Sequence, residues 1–184
     1  MNTILKPLYS QIDKILNKDI NIWVTTIVDN APVEVWKIPS ASSHHAQDER
    51  TEWGNLRHTL RVVEMCRVLS DIHELGRDQA EILKAAAILH DIAKRGIPVR
   101  YNHTHGNHPH WVRPYIGSLG LSTDSHFNEI LSLVEDHMGH WDKSHPEHFL
   151  HGASISLNMI LHIADCTCAM VEGIIKAGEI AVES

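Results

Sequence analysis

Residues Ile88 to Lys94, ILHDIAK, close an apolar stretch with an adjacent His-Asp pair. The ten residues before the pair, AEILKAAAIL from Ala80 to Leu89, are good helix formers without Gly or Pro. The pattern predicts a buried helix with His90 and Asp91 near its C-terminal end. An ionised carboxylate on an apolar helix is costly unless a partner or a metal compensates it. The fold must therefore bring a compensating group to Asp91. His90 is the adjacent co-ligand, since imidazole and carboxylate together suit divalent Zn, Mn, Fe or Co. Lys94, three residues after Asp91, falls on the same side of the helix and offers a cation to a phosphate. An isolated pair of this kind is more often a buried His-Asp hydrogen bond, so the rest of the chain must decide.

Three further helices repeat the signal. Trp53 to Ile72 places His58, Val62, Met65 and Leu69 on one stripe, which turns His58 inward. The short link ending at Gly76 makes this helix the antiparallel neighbour of the one carrying His90. Asp124 to Met138 aligns Ile130, Val134 and His137, and the last long helix, Ala153 to about residue 182, aligns Leu157, Leu161, Ala164, Asp165 and Cys168. Three imidazoles and two carboxylates thus lie on the apolar sides of four helices, with no structural counter-charge evident in the sequence. Such a set points to metal. The loop Val99 to His110, VRYNHTHGNHPH, adds further candidate ligands.

The other segments constrain the class of protein. Helical patterns also cover Ile4 to Leu16 and Ile20 to Val28, while Ser40 to Glu52, SASSHHAQDERTE, reads as a polar loop in which His44 and His45 favour plain solvated surface. No convincing strand alternation occurs. The expectation is an all-α domain of five to seven helices spanning residues 1–184, with N-terminal helices and a loop over 1–50 and a metal-binding helical core over 51–184. Cys66, Cys166 and Cys168 form no CxxC pair, which argues against a disulfide framework and a thiolate zinc site. A formal charge of −7 opposes a broad nucleic-acid footprint. Without a signal-like start or a long apolar window, the chain is expected to be cytoplasmic and free of membrane. Sixteen histidines also allow metal affinity without catalysis.

With these residues in place, the chain resembles the HD-domain superfamily of metal-dependent phosphohydrolases. Its order H…HD…D is matched by His58, His90, Asp91 and Asp165, and the likeness runs from about Trp36 to Met170. The segments WKIPSASSHH, WGNLRHT, HDIAK, EDHMGHW and LHIADCTCAM are similar to the nuclease and nucleotide-phosphohydrolase branch. Trp53 departs from a Gly of that branch and Met138 from a second His, and no OB domain is evident. The resemblance implies an HD-domain helical bundle. It also implies a two-metal centre, in which His108 and His137 complete the ligand set and Asp91 bridges the ions. Among the loop histidines, His108 is preferred over His105 and His103 because Pro109 and the next helix follow it.

The resulting expectation is hydrolysis of a phosphoester in a nucleotide or at a nucleic-acid end by a metal-activated water. The metal would be a divalent ion, two per chain, from among Mn, Fe, Ni, Co, Zn and Mg. Lys94 is the expected phosphate contact, with Arg95 the weaker candidate, and His140 is placed to contact substrate or protonate the leaving oxygen. Expected partners are a phosphorylated small molecule or nucleotide, or a single-stranded nucleic-acid end; a homo-oligomer stays open. Alternative readings are a mixed-valent diiron oxygenase using the same six ligands, a 3′-5′ exonuclease, and a nucleotide-binding module without turnover.

Overall fold

The computed structural model describes residues 3–41, 45–124, 126–139 and 155–170. Among them all regular structure is helical: α1 (Lys6–Ile12), α2 (Lys18–Asn30), α3 (Glu34–Lys37), α4 (Gly54–Ile72), α5 (Arg77–Leu89), α6 (Val112–Ser118), α7 (His126–Asp136) and α8 (Leu157–Met170), with three short 3₁₀ turns. The all-α bundle expected from the sequence is what forms. The helix count exceeds the expected range because α3 is a single turn, too short to show a period. No helix among the described residues is long and apolar enough to cross a membrane.

The long helix α4 is the hub. It packs chiefly against α5 and α8, and α5 in turn packs against α7. Leu56, Leu60 and Val62 of α4 are buried, and α5 is buried along nearly its whole second half. Three consecutive small residues, Ala85, Ala86 and Ala87, are fully covered. Their small side chains let the neighbouring helices come close to α5. Further out, Trp23 of α2 stacks on Phe127 of α7 with ring centroids 4.8 Å apart. Buried Glu81 accepts the backbone N–H groups of Leu16 and Asn17, at 3.2 and 2.8 Å, and ties the turn between α1 and α2 to α5.

The His-Asp pair follows its helix instead of lying in it. Helix α5 ends at Leu89, His90 is its C-cap, and the chain then tightens into three-residue turns in which Ile92 N–H donates to Leu89 and Lys94 N–H to Asp91. Lys94 therefore reaches Asp91 through a turn, and the α-helical spacing read from the sequence is corrected on this point. Asn55, fully buried in the first turn of α4, donates from Nδ2 to the Val35 carbonyl at 2.9 Å and the Asp91 carbonyl at 3.2 Å. That single amide joins α3, α4 and the turn carrying Asp91.

Residues 38–41 and 45–53 form a strap across the N-terminus of α4. Ser40 N–H donates to Glu49, Trp53 N–H to Lys37 and Asn55 N–H to Ile38, at 2.8, 2.7 and 2.9 Å. Trp53 has a φ of 64°, in the left-handed region that glycine adopts freely. This is the position at which the similar branch carries glycine. Next to it, Gly54 lies so close to the strap that an added Cβ would overlap the Glu49 carbonyl. Gly54→Ala is expected to lower stability by about 1–3 kcal/mol, the usual range for overpacking a site that must shift backbone. Chemical denaturation of the two proteins measures the difference.

Candidate metal centre

Five segments converge on one buried point. Helix α4 contributes His58, the end of α5 contributes His90 and Asp91, the 3₁₀ turn His108–Trp111 contributes His108, the residue after α7 is His137, and α8 contributes Asp165. The first five are at most 2% exposed, and the Asp165 side chain is 18% exposed. All six residues expected from the sequence are therefore brought together. Their ligand atoms fall into two trios, His58 with His90 and Asp165, and Asp91 with His108 and His137; within each trio the atoms lie within 4.8 Å of one another.

Asp91 joins the trios through separate oxygens. Its Oδ2 is 3.6 Å from His58 Nε2 and 3.4 Å from His90 Nε2, whereas Oδ1 is 3.0 Å from His108 Nε2 and 3.9 Å from His137 Nε2. Asp165 Oδ1 is 2.8 Å from His58 Nε2 and 3.9 Å from His90 Nε2.

The ring tautomers follow from the outer hydrogen bonds. Nδ1 of His90, His108 and His137 lies 2.8, 2.8 and 2.7 Å from the carbonyls of Ala87, His105 and Val134. A carbonyl only accepts, so each Nδ1 must carry the proton, and in the neutral ring Nε2 turns a lone pair toward the centre. The buried Nε2 atoms of His90 and His108 make no hydrogen bond. Lone pairs thus converge on carboxylate oxygens with no proton between them. A cation resolves this arrangement, and the donor set of imidazole and carboxylate suits a divalent one.

The charges fit the same reading. Burial works against ionisation of Asp91, but the Lys94 ammonium holds its carboxyl well below the usual range. Burial likewise opposes ionisation of Asp165, and the hydrogen bond and charge of His58 overcome it and keep the carboxyl low. Burial pushes His137 down to about 3, so it is a neutral ligand. His58 differs: burial lowers its pKa, but hydrogen bonds to Asp165 and Glu49 raise it to about 9. Burial raises the thiols, Cys166 to about 11 and Cys168 to about 12, and no thiolate competes for the ion.

Two expectations are corrected here. The sequence showed no counter-charge, yet Lys94, 6% exposed, forms an ion pair with Asp91 Oδ2 at 2.5 Å and donates to Ser40 Oγ at 2.9 Å. His45 is not plain surface: its side chain is 11% exposed and its Nδ1 lies 2.8 Å from Glu49 Oε2. Glu49 itself, fully buried with Oε2 also 3.2 Å from His58 Nδ1, was hidden in a run that reads as polar loop. Only the buried histidine it faces could have pointed to it. Of the loop histidines, His105 packs against Trp111 with centroids 4.5 Å apart, His103 is exposed, and His108 alone reaches the centre. Arg95 donates to the Pro39 carbonyl, away from it. His44 and His140 lie outside the described residues.

An all-helical bundle in which one buried aspartate joins two imidazole-carboxylate trios is a scaffold that could hold metal. The HD domain family model matches residues 55–170, most of the chain, and the chain belongs to the HD-domain family. HD domains bind divalent metals, and their superfamily is one of metal-dependent hydrolases. No curated protein and no solved structure matches the chain.

Two outcomes follow from this geometry. In metal-free protein, Asp91→Ala leaves the Lys94 ammonium buried without its partner and is expected to cost about 3–5 kcal/mol. Adding Lys94→Met should recover part of that loss, which a double-mutant cycle by denaturation reads directly. Ion loading should also depend on pH. His58 is protonated in the metal-free centre below about 9, and an ion must displace that proton. Apparent affinity for the first trio should therefore climb about tenfold per pH unit from 7 and level off above 9, with one proton released per ion in calorimetry across buffers of different ionisation enthalpy.

Proposed function

We propose that this chain hydrolyses a phosphoester bond in a nucleotide or at a nucleic-acid end, using two divalent ions. The observation that carries the proposal is the division of the Asp91 oxygens between two ligand trios, His58/His90/Asp165 and Asp91/His108/His137. Ions held there would supply an acidified water and the positive charge that a transferring phosphoryl group requires. Asp91 spaces the two sites, and Asp165 with His58 and His90 closes one of them on the α4–α8 side.

Lys94 is the residue assigned to the phosphoryl oxygens. Its ammonium already sits against the shared carboxylate, and an oriented cation at that point offsets developing charge without reorganisation. The nucleotide class is supported by a cavity of about 400 Å³ whose walls come from the segments that carry Lys94 and His108. Tyr101, Trp111 and Tyr115 line it together with Arg100. Tyr101 and Trp111 stack at 5.5 Å with planes 19° apart, and Tyr101 remains 37% exposed. An aromatic wall beside an exposed guanidinium suits a base and its attached anionic group.

The decisive measurement is turnover under argon. Nucleotide hydrolysis should proceed with Mn²⁺ and without dioxygen; activity that disappears in the absence of oxygen would instead assign the centre to oxygenase chemistry. Tyr101→Ala should raise KM for a nucleotide about tenfold and leave kcat unchanged, because stacking binds ground and transition states alike. An unchanged KM would remove the base from the cavity.

A further inference from the structure

Four imidazoles face the centre, and they are not oriented alike. His90, His108 and His137 each place Nδ1 against a carbonyl three residues earlier in their own segment. His58 instead meets a carboxylate from a different segment, Glu49 of the strap. We propose that Glu49 is the positioning residue of the centre: it holds the His58 Nδ1 proton and turns Nε2, as a strengthened ligand, toward the His58/His90/Asp165 site. This role rests on the two-ion reading above.

The surroundings of Glu49 leave its carboxylate little freedom. It is fully buried, and Oε2 sits 2.8 Å from His45 Nδ1 and 3.2 Å from His58 Nδ1, while Oε1 accepts Arg61 Nη1 at 2.5 Å. Arg61 is held in turn by Asp48, at 2.6 Å. Three groups from three directions therefore require an acceptor at this one side chain. Docking of the strap does not need the carboxylate, because Ser40 N–H bonds the Glu49 backbone carbonyl. Structural and positioning roles can thus be separated by changing the side-chain head alone.

Glutamine keeps the shape and loses one acceptor. If its carbonyl faces Arg61, its NH₂ faces the two imidazoles, and His58 must accept at Nδ1. The His58 proton then moves to Nε2, the atom that should ligate. If the amide is reversed, its NH₂ opposes the Arg61 guanidinium. Either way the carboxylate that raises ligand basicity is gone, a change that typically costs 10–100-fold in metal affinity.

The test is titration of the metal-free full chain with Co²⁺, followed by visible absorption and calorimetry. Wild type should bind two ions. Glu49→Gln should lose about 10–100-fold at one site and keep the other, and the retained step should disappear on adding His108→Ala, which marks it as the Asp91/His108/His137 site. Equal affinities in wild type and Glu49→Gln, or equal weakening of both sites, would overturn the positioning role while leaving the two-ion reading intact. Wild type that binds no divalent ion would overturn both. Should the variant fail to fold, Zn²⁺-loaded wild type decides the matter: His58 Nδ1 should carry a slowly exchanging proton in ¹H–¹⁵N spectra, and an unprotonated Nδ1 refutes the proposal.

Discussion

A carboxylate 2% exposed to solvent lies at the junction of five segments, and its burial is tolerable only because positive or electrophilic partners surround it. Asp91 has Lys94 on one oxygen and a ring of imidazoles on both. His90 and Lys94 come from its own segment, while His58, His108 and His137 arrive on three others, so the requirement to compensate one charge ties α4, α5, the 3₁₀ turn at His108 and the end of α7 together. The lysine accounts for how the metal-free bundle can hold this aspartate. It does not account for the unpaired Nε2 atoms of His90 and His108, which hydrogen bonds leave empty.

Orientation of the rings comes from inexpensive local geometry in three cases and from a long-range contact in one. A histidine just past a helix end can give its Nδ1 proton to the carbonyl three residues back, one of the acceptors a helix terminus leaves unpaired. His90 and His137 do this at the ends of α5 and α7. His58 stands inside α4, where the backbone acceptors are taken, and its Nδ1 meets a side chain instead. The strap that supplies that side chain packs so closely that Gly54 cannot carry a side chain without displacing it.

Family membership points to the metal-dependent hydrolase superfamily, and the centre geometry to a metal site. The HD-domain match covers residues 55–170 and so excludes Glu49, the strap and the first helices. Trp53, at a left-handed position, and His45 and Glu49 of the His45–Glu49–His58–Arg61 cluster lie before the start of that match, while His58 and Arg61 lie within it. The aromatic cavity proposed to hold the base lies on the segments following Lys94 and His108.

Sequence alone determined the longer helices and the inward placement of His58, His90, Asp91, His137 and Asp165, because an apolar period of 3.6 residues is a local property that survives without neighbours. It also limited the loop ligand to a few histidines. Tertiary structure decided that His108 is the one that reaches Asp91, that the two Asp91 oxygens serve different trios, that Lys94 is its counter-charge, and that Glu49 is buried. Most of these depend on how separate segments pack, as with Glu49 of the strap against His58 of α4, and His58 against Asp165, 107 residues apart. A polar residue in a polar run carries no period from which its burial can be read, and only the packing of the strap onto α4 removes Glu49 from water.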